Sequence, residues 1–132
     1  MKNLLILILF MISFLYADIQ IISSPECRVE TLSRHDVKNI FMLKEKSIED
    51  EPVTVLESSD HETYRFFVKK YLKKSIRKMK VYWTRMLFTG KKIPPKKFSS
   101  EELTLLDTNG SCYISYLPVE KKPKDWKILI VK

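Results

Sequence analysis

The chain has 132 residues, with 24 Lys and Arg against 16 Asp and Glu, a formal charge of +8, and 45% hydrophobic residues. That length supports one domain with a real core, and with only two glycines and no internal repeat the collagen-like, solenoid and low-complexity classes are excluded. No zinc-type ligand spacing joins Cys27, Cys112, His35 and His61, and no Gly-rich nucleotide loop or nucleophile motif is present, so the composition argues for no metal, no cofactor and no enzyme.

Residues 1–17 read as a secretory signal peptide. Lys2 supplies a positive start, Leu4 to Tyr16 is almost wholly apolar, and Ala17 is a small residue before the polar Asp18. A membrane anchor is the alternative, but an apolar run of about thirteen residues falls short of the roughly 20 a spanning helix needs. No cysteine follows this segment to accept a lipid. The expectation is a soluble domain over 18–132, periplasmic or secreted.

In chain order, Ile19, Ile21 and Ile22 make a first strand over Asp18 to Ser23, ended by Ser24-Pro25. Ser33 caps a helix whose apolar positions Val37, Ile40 and Phe41 recur at helical spacing. Lys44 to Glu51 reads as a polar loop, and Pro52 opens a short strand through Val53, Val55 and Leu56. Ser58-Ser59-Asp60 offers capping oxygens to a helix through Tyr64, Phe67, Val68 and Tyr71-Leu72. From Ser75 a second helix runs to about Phe88, with Met79, Tyr82, Trp83, Met86 and Leu87 as a core-facing stripe. Gly90 and Pro94-Pro95 end it. Ser99 with Glu102 predicts a capping box for a short helix over Ser100 to Leu106, followed by an Asn109-Gly110 turn. Tyr113 to Leu117 and Lys127 to Val131 read as strands, the latter a continuous apolar run suited to a buried position. Alternating strands and helices give an α/β domain with a small mixed sheet flanked by helices.

Cys27 and Cys112 would sit in an oxidising compartment after export, and their even number favours a disulfide between them. The alternatives are two free thiols or pairing with another chain. A bridge would close most of the domain into one loop, for a stabilisation on the order of 4 kcal/mol in the chain-entropy account.

Charge is unevenly spread. Thirteen Lys and Arg residues lie between Arg65 and Lys97, and no Asp or Glu occurs from Thr63 to Ser100. Such a field attracts phosphate, an acidic polymer, an acidic protein or a membrane headgroup surface. The plain alternative is a solvated face that keeps the domain soluble. Nucleic acid is not expected as a partner, because export separates the chain from it and no recognised binding module is present.

The segment Tyr82-Trp83, Phe88-Thr89-Gly90-Lys91 and Pro94-Pro95-Lys96 resembles the short, single-lobe relatives of the bacterial phosphate-transport substrate-binding proteins, a periplasmic-binding-protein-like family. Leu32-Ser33, Asp36-Val37, Asn39-Ile40-Phe41 with Lys44, Pro52-Val53, and Tyr113-Ile114-Ser115-Tyr116 extend the likeness over most of the chain after residue 20. The resemblance implies one lobe of a two-lobed binding fold. It also implies a periplasmic role in phosphate or related oxyanion transport or sensing, with a membrane transporter or sensor protein as partner.

In that family a Gly-Ser pair after the second strand, and an Arg ahead of a Phe, hold the phosphate oxygens. Counting from Pro52 puts Ser58-Ser59 on the pair. Counting back from Phe67 puts Asp60-His61 there and Tyr64 on the Arg, with Arg65 one place away. The candidate anion-binding residues are therefore Ser58, Ser59 and Arg65, with Thr89, Gly90 and Lys91 as a second possible contact through a Gly turn beside a Lys. Helix capping by the first group and a helix C-cap at the second are the structural alternatives. Two readings stand: a solute-binding domain for phosphate or a similar oxyanion, and a non-catalytic interaction module that uses the basic helical face. A single lobe encloses only part of a ligand, which weighs against high-affinity transport by this chain alone.

Mass spectrometry of the exported protein should find Asp18 at or near the N-terminus; retention of Met1 would contradict the soluble-domain reading.

Overall fold

The computed structural model describes residues 18–132, so the proposed signal peptide lies outside the described residues. Strand β1 (Ile19–Ser23) is central and covered on both faces. It pairs antiparallel with β8 (Tyr113–Pro118), in the register Ile19↔Pro118 to Ser23↔Ile114, and on its other side with β9 (Lys127–Ile128). β5 (Thr54–Val55) joins β8 in parallel, which makes a four-stranded mixed sheet of order β5-β8-β1-β9. Two shorter parallel pairs stand as separate sheets: β2 (Thr31–Leu32) with β10 (Ile130–Val131), and β6 (Glu57–Ser58) with β7 (Lys97–Phe98).

Successive side chains of a strand point to opposite faces, and β1 and β8 use both. Ile21, Ile114 and Tyr116 face the larger core, packed by α1 (Arg34–Phe41), α2 (His61–Phe67), a π-helical turn (Val68–Leu72) and α3 (Ile76–Phe88). Ile22 and Leu117 face a smaller core closed by Leu56, Trp126 and Leu103 of α4 (Ser100–Leu105). The two layers of helix cover the two faces of one sheet, the α/β arrangement expected of a lobe of this type.

The caps act as their residue types require. Ser33 Oγ accepts the Asp36 N–H at 2.9 Å while Asp36 accepts the Ser33 N–H at 3.1 Å, and Ser99 and Glu102 repeat the arrangement at 3.1 Å in both directions. Lys73, at φ +54°, breaks the chain between the π-turn and α3, and Ser75 Oγ caps α3 by accepting the Lys78 N–H at 3.2 Å.

Three local expectations are corrected. Leu87, expected in the core-facing stripe of α3, is 53% exposed, because it lies on the flank of the face that buries Met79 and Trp83. Lys44 to Glu51 is not simply a loop: β3 (Ser47–Ile48) and β4 (Glu51–Pro52) form a two-residue hairpin, with Glu49 and Asp50 both at positive φ, 48° and 68°. That is the twist a tight hairpin needs, adopted without the usual Asn or Gly that signals it. The run Lys127 to Val131 is not buried throughout. Trp126 and Leu129 are buried, while Ile128, in β9 at the edge of the four-stranded sheet, and Ile130, in β10 of the two-stranded pair, are exposed.

Cys27 and Cys112 form a disulfide with Cα atoms 4.6 Å apart across 85 residues of sequence. Beside it, buried Ser24 clamps β1 to β8. Its N–H donates to the Tyr113 carbonyl at 2.9 Å, and its hydroxyl donates to the Ser111 carbonyl and accepts the Tyr113 N–H, both at 2.8 Å. The joint fixes the segment that leaves the central strand to the one that enters β8 beside it.

Replacing both cysteines by serine should lower unfolding stability by about 4 kcal/mol. Urea titration of oxidised and double-variant protein measures this, and superposable unfolding curves would contradict it.

Candidate functional site

The loop that leaves β6 is held by groups of the chain itself. Ser58 is buried; its N–H donates to the Tyr116 hydroxyl at 3.1 Å and its own hydroxyl accepts the Asp60 N–H at 3.1 Å. Ser59 is exposed, and its N–H donates to the Phe98 carbonyl at 3.0 Å. Asp60, rather than either serine, is the N-cap of α2: its carboxylate accepts the Thr63 N–H at 3.0 Å and the Thr63 hydroxyl at 2.7 Å. Those two donors hold the Asp60 carboxyl below its ordinary range, so a full negative charge sits at the positive end of the helix. Arg65 lies on the exposed side of α2, paired with Glu62 at 3.0 Å.

Thr89, Gly90 and Lys91 form the C-terminal cap of α3. Their N–H groups donate to the carbonyls of Arg85, Leu87 and Met86 at 3.0, 3.1 and 3.0 Å, and the Thr89 hydroxyl donates to the Arg85 carbonyl at 2.8 Å. Gly90 has φ +65°, the left-handed conformation such a cap requires. Among the described residues no hydrogen bond joins this turn to the Ser58–Arg65 loop. The candidate positions are thus two separate devices, with the N–H groups of Ser58, Ser59, Asp60, Thr63, Thr89, Gly90 and Lys91 all engaged within the chain.

Sequence reasoning missed Glu57. It is almost wholly buried, pairs in register with Lys97, and accepts a short hydrogen bond from the Tyr116 hydroxyl. Burial pushes its carboxyl up from 4.5 to about 7, against the opposing pull of the Tyr116 hydroxyl and the Lys97 charge. The same neighbourhood works the other way on the phenols. Burial, then the Glu57 charge, raises Tyr64 to about 12 and Tyr116 further still. A Glu that follows the apolar Val53-Val55-Leu56 run is a local signal of a buried acid. Nothing local links it to a tyrosine 59 residues away.

Glu51 lies near the disulfide, its carboxylate and the two sulfur atoms within 4.8 Å of one another. Bonded to each other, the sulfurs carry no thiolate to ligate an ion, and Glu51 is engaged by the Arg28 N–H at 2.9 Å and Arg28 Nε at 3.0 Å.

The cationic segment is a surface. Among the described residues only Arg65 and Lys70, of its thirteen cations, make ion pairs, with Glu62 at 3.0 Å and Asp18 at 2.7 Å. On α3, Met79 and Trp83 are buried and the Tyr82 hydroxyl donates to the Met42 carbonyl at 2.8 Å, which turns Arg77, Lys78, Lys80 and Arg85 outward.

No protein-family model matches this sequence, and a comparison with curated proteins gives no match. In structure, the chain is similar to an ABC-type phosphate transport receptor from Vibrio cholerae. The TM-score is 0.55 at 9% identity, over 86% of this chain and 45% of that receptor. The likeness is one of fold, and the chain spans less than half of the receptor's length.

Because the folded state raises the Glu57 carboxyl from 4.5 to about 7, it holds this proton more tightly than the unfolded chain does. The stabilisation is complete below the unfolded value, declines as pH rises through the interval and is gone above about 7. It amounts to on the order of 3 kcal/mol. Urea unfolding near pH 5 and pH 8 should show this loss in the native protein and not in Glu57→Gln; equal pH slopes in the two proteins would contradict it.

Proposed function

We propose that the chain is an exported, non-catalytic lobe of binding-protein type that engages an anionic partner through the cationic face of the π-turn and α3. The observation that carries this reading is the contrast between two places in the fold. The helix start after β6 is closed by the chain's own Asp60 carboxylate. By contrast, eleven of the thirteen cations from Arg65 to Lys97 have no ion-pair partner among the described residues. An anion approaching the first meets the Asp60 carboxylate; one approaching the second meets an uncompensated positive field. The Cys27–Cys112 disulfide supports export, since such bonds persist in oxidising compartments, and no described helix is long and apolar enough to cross a membrane.

A second reading is favoured by the fold. The structural neighbour is a phosphate transport receptor rather than an enzyme, which makes a phosphate-like ligand of this lobe a reasonable reading, with exposed Ser59 and nearby lysines as its contacts. The two readings differ in salt dependence, because exposed charges are screened beyond roughly 8 Å at physiological ionic strength and a buried oxyanion far less.

Calorimetric titration of the 18–132 domain should show no saturable phosphate binding at physiological salt. Heparin should bind at low salt, and weaken when Lys73 and Lys74 are replaced by alanine but not with Ser59→Ala. Salt-resistant phosphate binding lost in Ser59→Ala would overturn this reading in favour of the second.

A further inference from the structure

We infer that the anionic partner is a lipid bilayer, which the outward face of α3 and the turn after it meet by inserting apolar side chains between headgroup-binding cations; this rests on the cationic-face reading above. Along α3, Arg77, Val81, Thr84 and Phe88 recur at spacings of four, three and four, one line on the helix surface opposite buried Met79 and Trp83. This line should be polar on a solvated helix. Instead Val81 is 52% exposed and Phe88 is 88% exposed; beside them Leu87 is 53% exposed, and after the Gly90 turn Ile93 is 78% exposed.

These apolar groups are interleaved with Lys80, Arg85 and Lys91, and α3 contains no acidic residue at all. The surface between them is open: Arg77, Lys80, Val81, Thr84 and Arg85 line a depression on the face itself rather than an enclosed pocket. A protein partner is recognised by an apolar centre with a polar rim. Cations alternating with apolar tips on one helix suit a bilayer interface instead. There the rings and branched chains enter the acyl boundary, while Lys and Arg extend their stems to the phosphates. A free polyanion would use the cations and leave Phe88, Leu87 and Ile93 in water.

The test is co-sedimentation of the 18–132 domain with vesicles of phosphatidylcholine alone and of phosphatidylcholine with one-third phosphatidylglycerol, beside heparin binding. The inference expects binding to the anionic vesicles only, with a loss of roughly fivefold for each cation removed. Phe88→Ala should lose about tenfold on vesicles while leaving heparin binding unchanged. Phe88 is exposed, so the variant keeps its fold, and an unaltered thermal melt checks this. Heparin binding without vesicle binding would overturn the lipid assignment and leave the cationic-face reading standing, pointing to an acidic polymer or protein. Loss of both would overturn both. Vesicle binding that ignores Phe88→Ala would also overturn the inference, since charge alone would then account for it.

Discussion

The structure depends on what the two ends of Tyr116 do. Its ring is wholly buried on β8, stacked on Phe67 with centroids 3.8 Å apart and planes 3° from parallel, while Phe41 packs against both at 5.6 and 4.6 Å. Strand β8, helix α1 and helix α2 therefore meet at one aromatic contact in the middle of the larger core. The hydroxyl lies at the end of the same side chain, accepting the Ser58 N–H and donating to Glu57. The contact that holds the helices to the sheet also ties the start of the loop after β6 to the core beneath it. A buried hydroxyl must find partners, and here it finds them in the chain itself.

That constraint sets the electrostatics. With Tyr116 holding Ser58, and Asp60 closing α2, the helix start presents a carboxylate outward; Glu57 lies beneath it, with only Lys97 and the Tyr116 hydroxyl to lessen the cost of its charge. The positive charge of the chain is displaced onto the π-turn and α3, whose inner faces the core packing commits and whose outer faces it leaves free. One sequence segment thus serves twice. Met79, Tyr82, Trp83 and Met86 hold α3 to the domain, and the residues between them carry the charge. Such a helix can bind on its outer face without disturbing the lobe that supports it.

Much of this was legible before any coordinates, and the reasons are local. The Ser33, Ser75 and Ser99 caps follow from side-chain chemistry within three residues, and the stripe on α3, Leu87 excepted, from helical spacing. The α/β order with a small mixed sheet follows from alternation of elements. What could not be read depends on long-range pairing. Ile128 and Ile130 are apolar by composition, and only the edge position of β9 and the pairing of β10 with β2 alone leave them exposed. Glu49 and Asp50 turn a hairpin that their residue types do not announce. The Glu57–Tyr116 contact joins positions 59 apart and exists only because β6 runs beside β8. At the loop itself, Ser58, Ser59 and Asp60 were all capping candidates by type; which one closes α2 is decided by Tyr116 and Phe98, which engage the two serine N–H groups from elsewhere in the fold.

The central claim is that the outer face of α3, and not the loop after β6, is where this lobe meets an anion. Backbone amide NMR of the isotopically labelled 18–132 domain, recorded during titration with a soluble anionic lipid such as a short-chain phosphatidylglycerol, tests it residue by residue. The account predicts shifts concentrated at Arg77, Val81, Arg85, Phe88 and Lys91, with the amides of Ser58, Ser59 and Thr63 unmoved. Shifts centred on Ser58 to Thr63, with α3 unchanged, would contradict it.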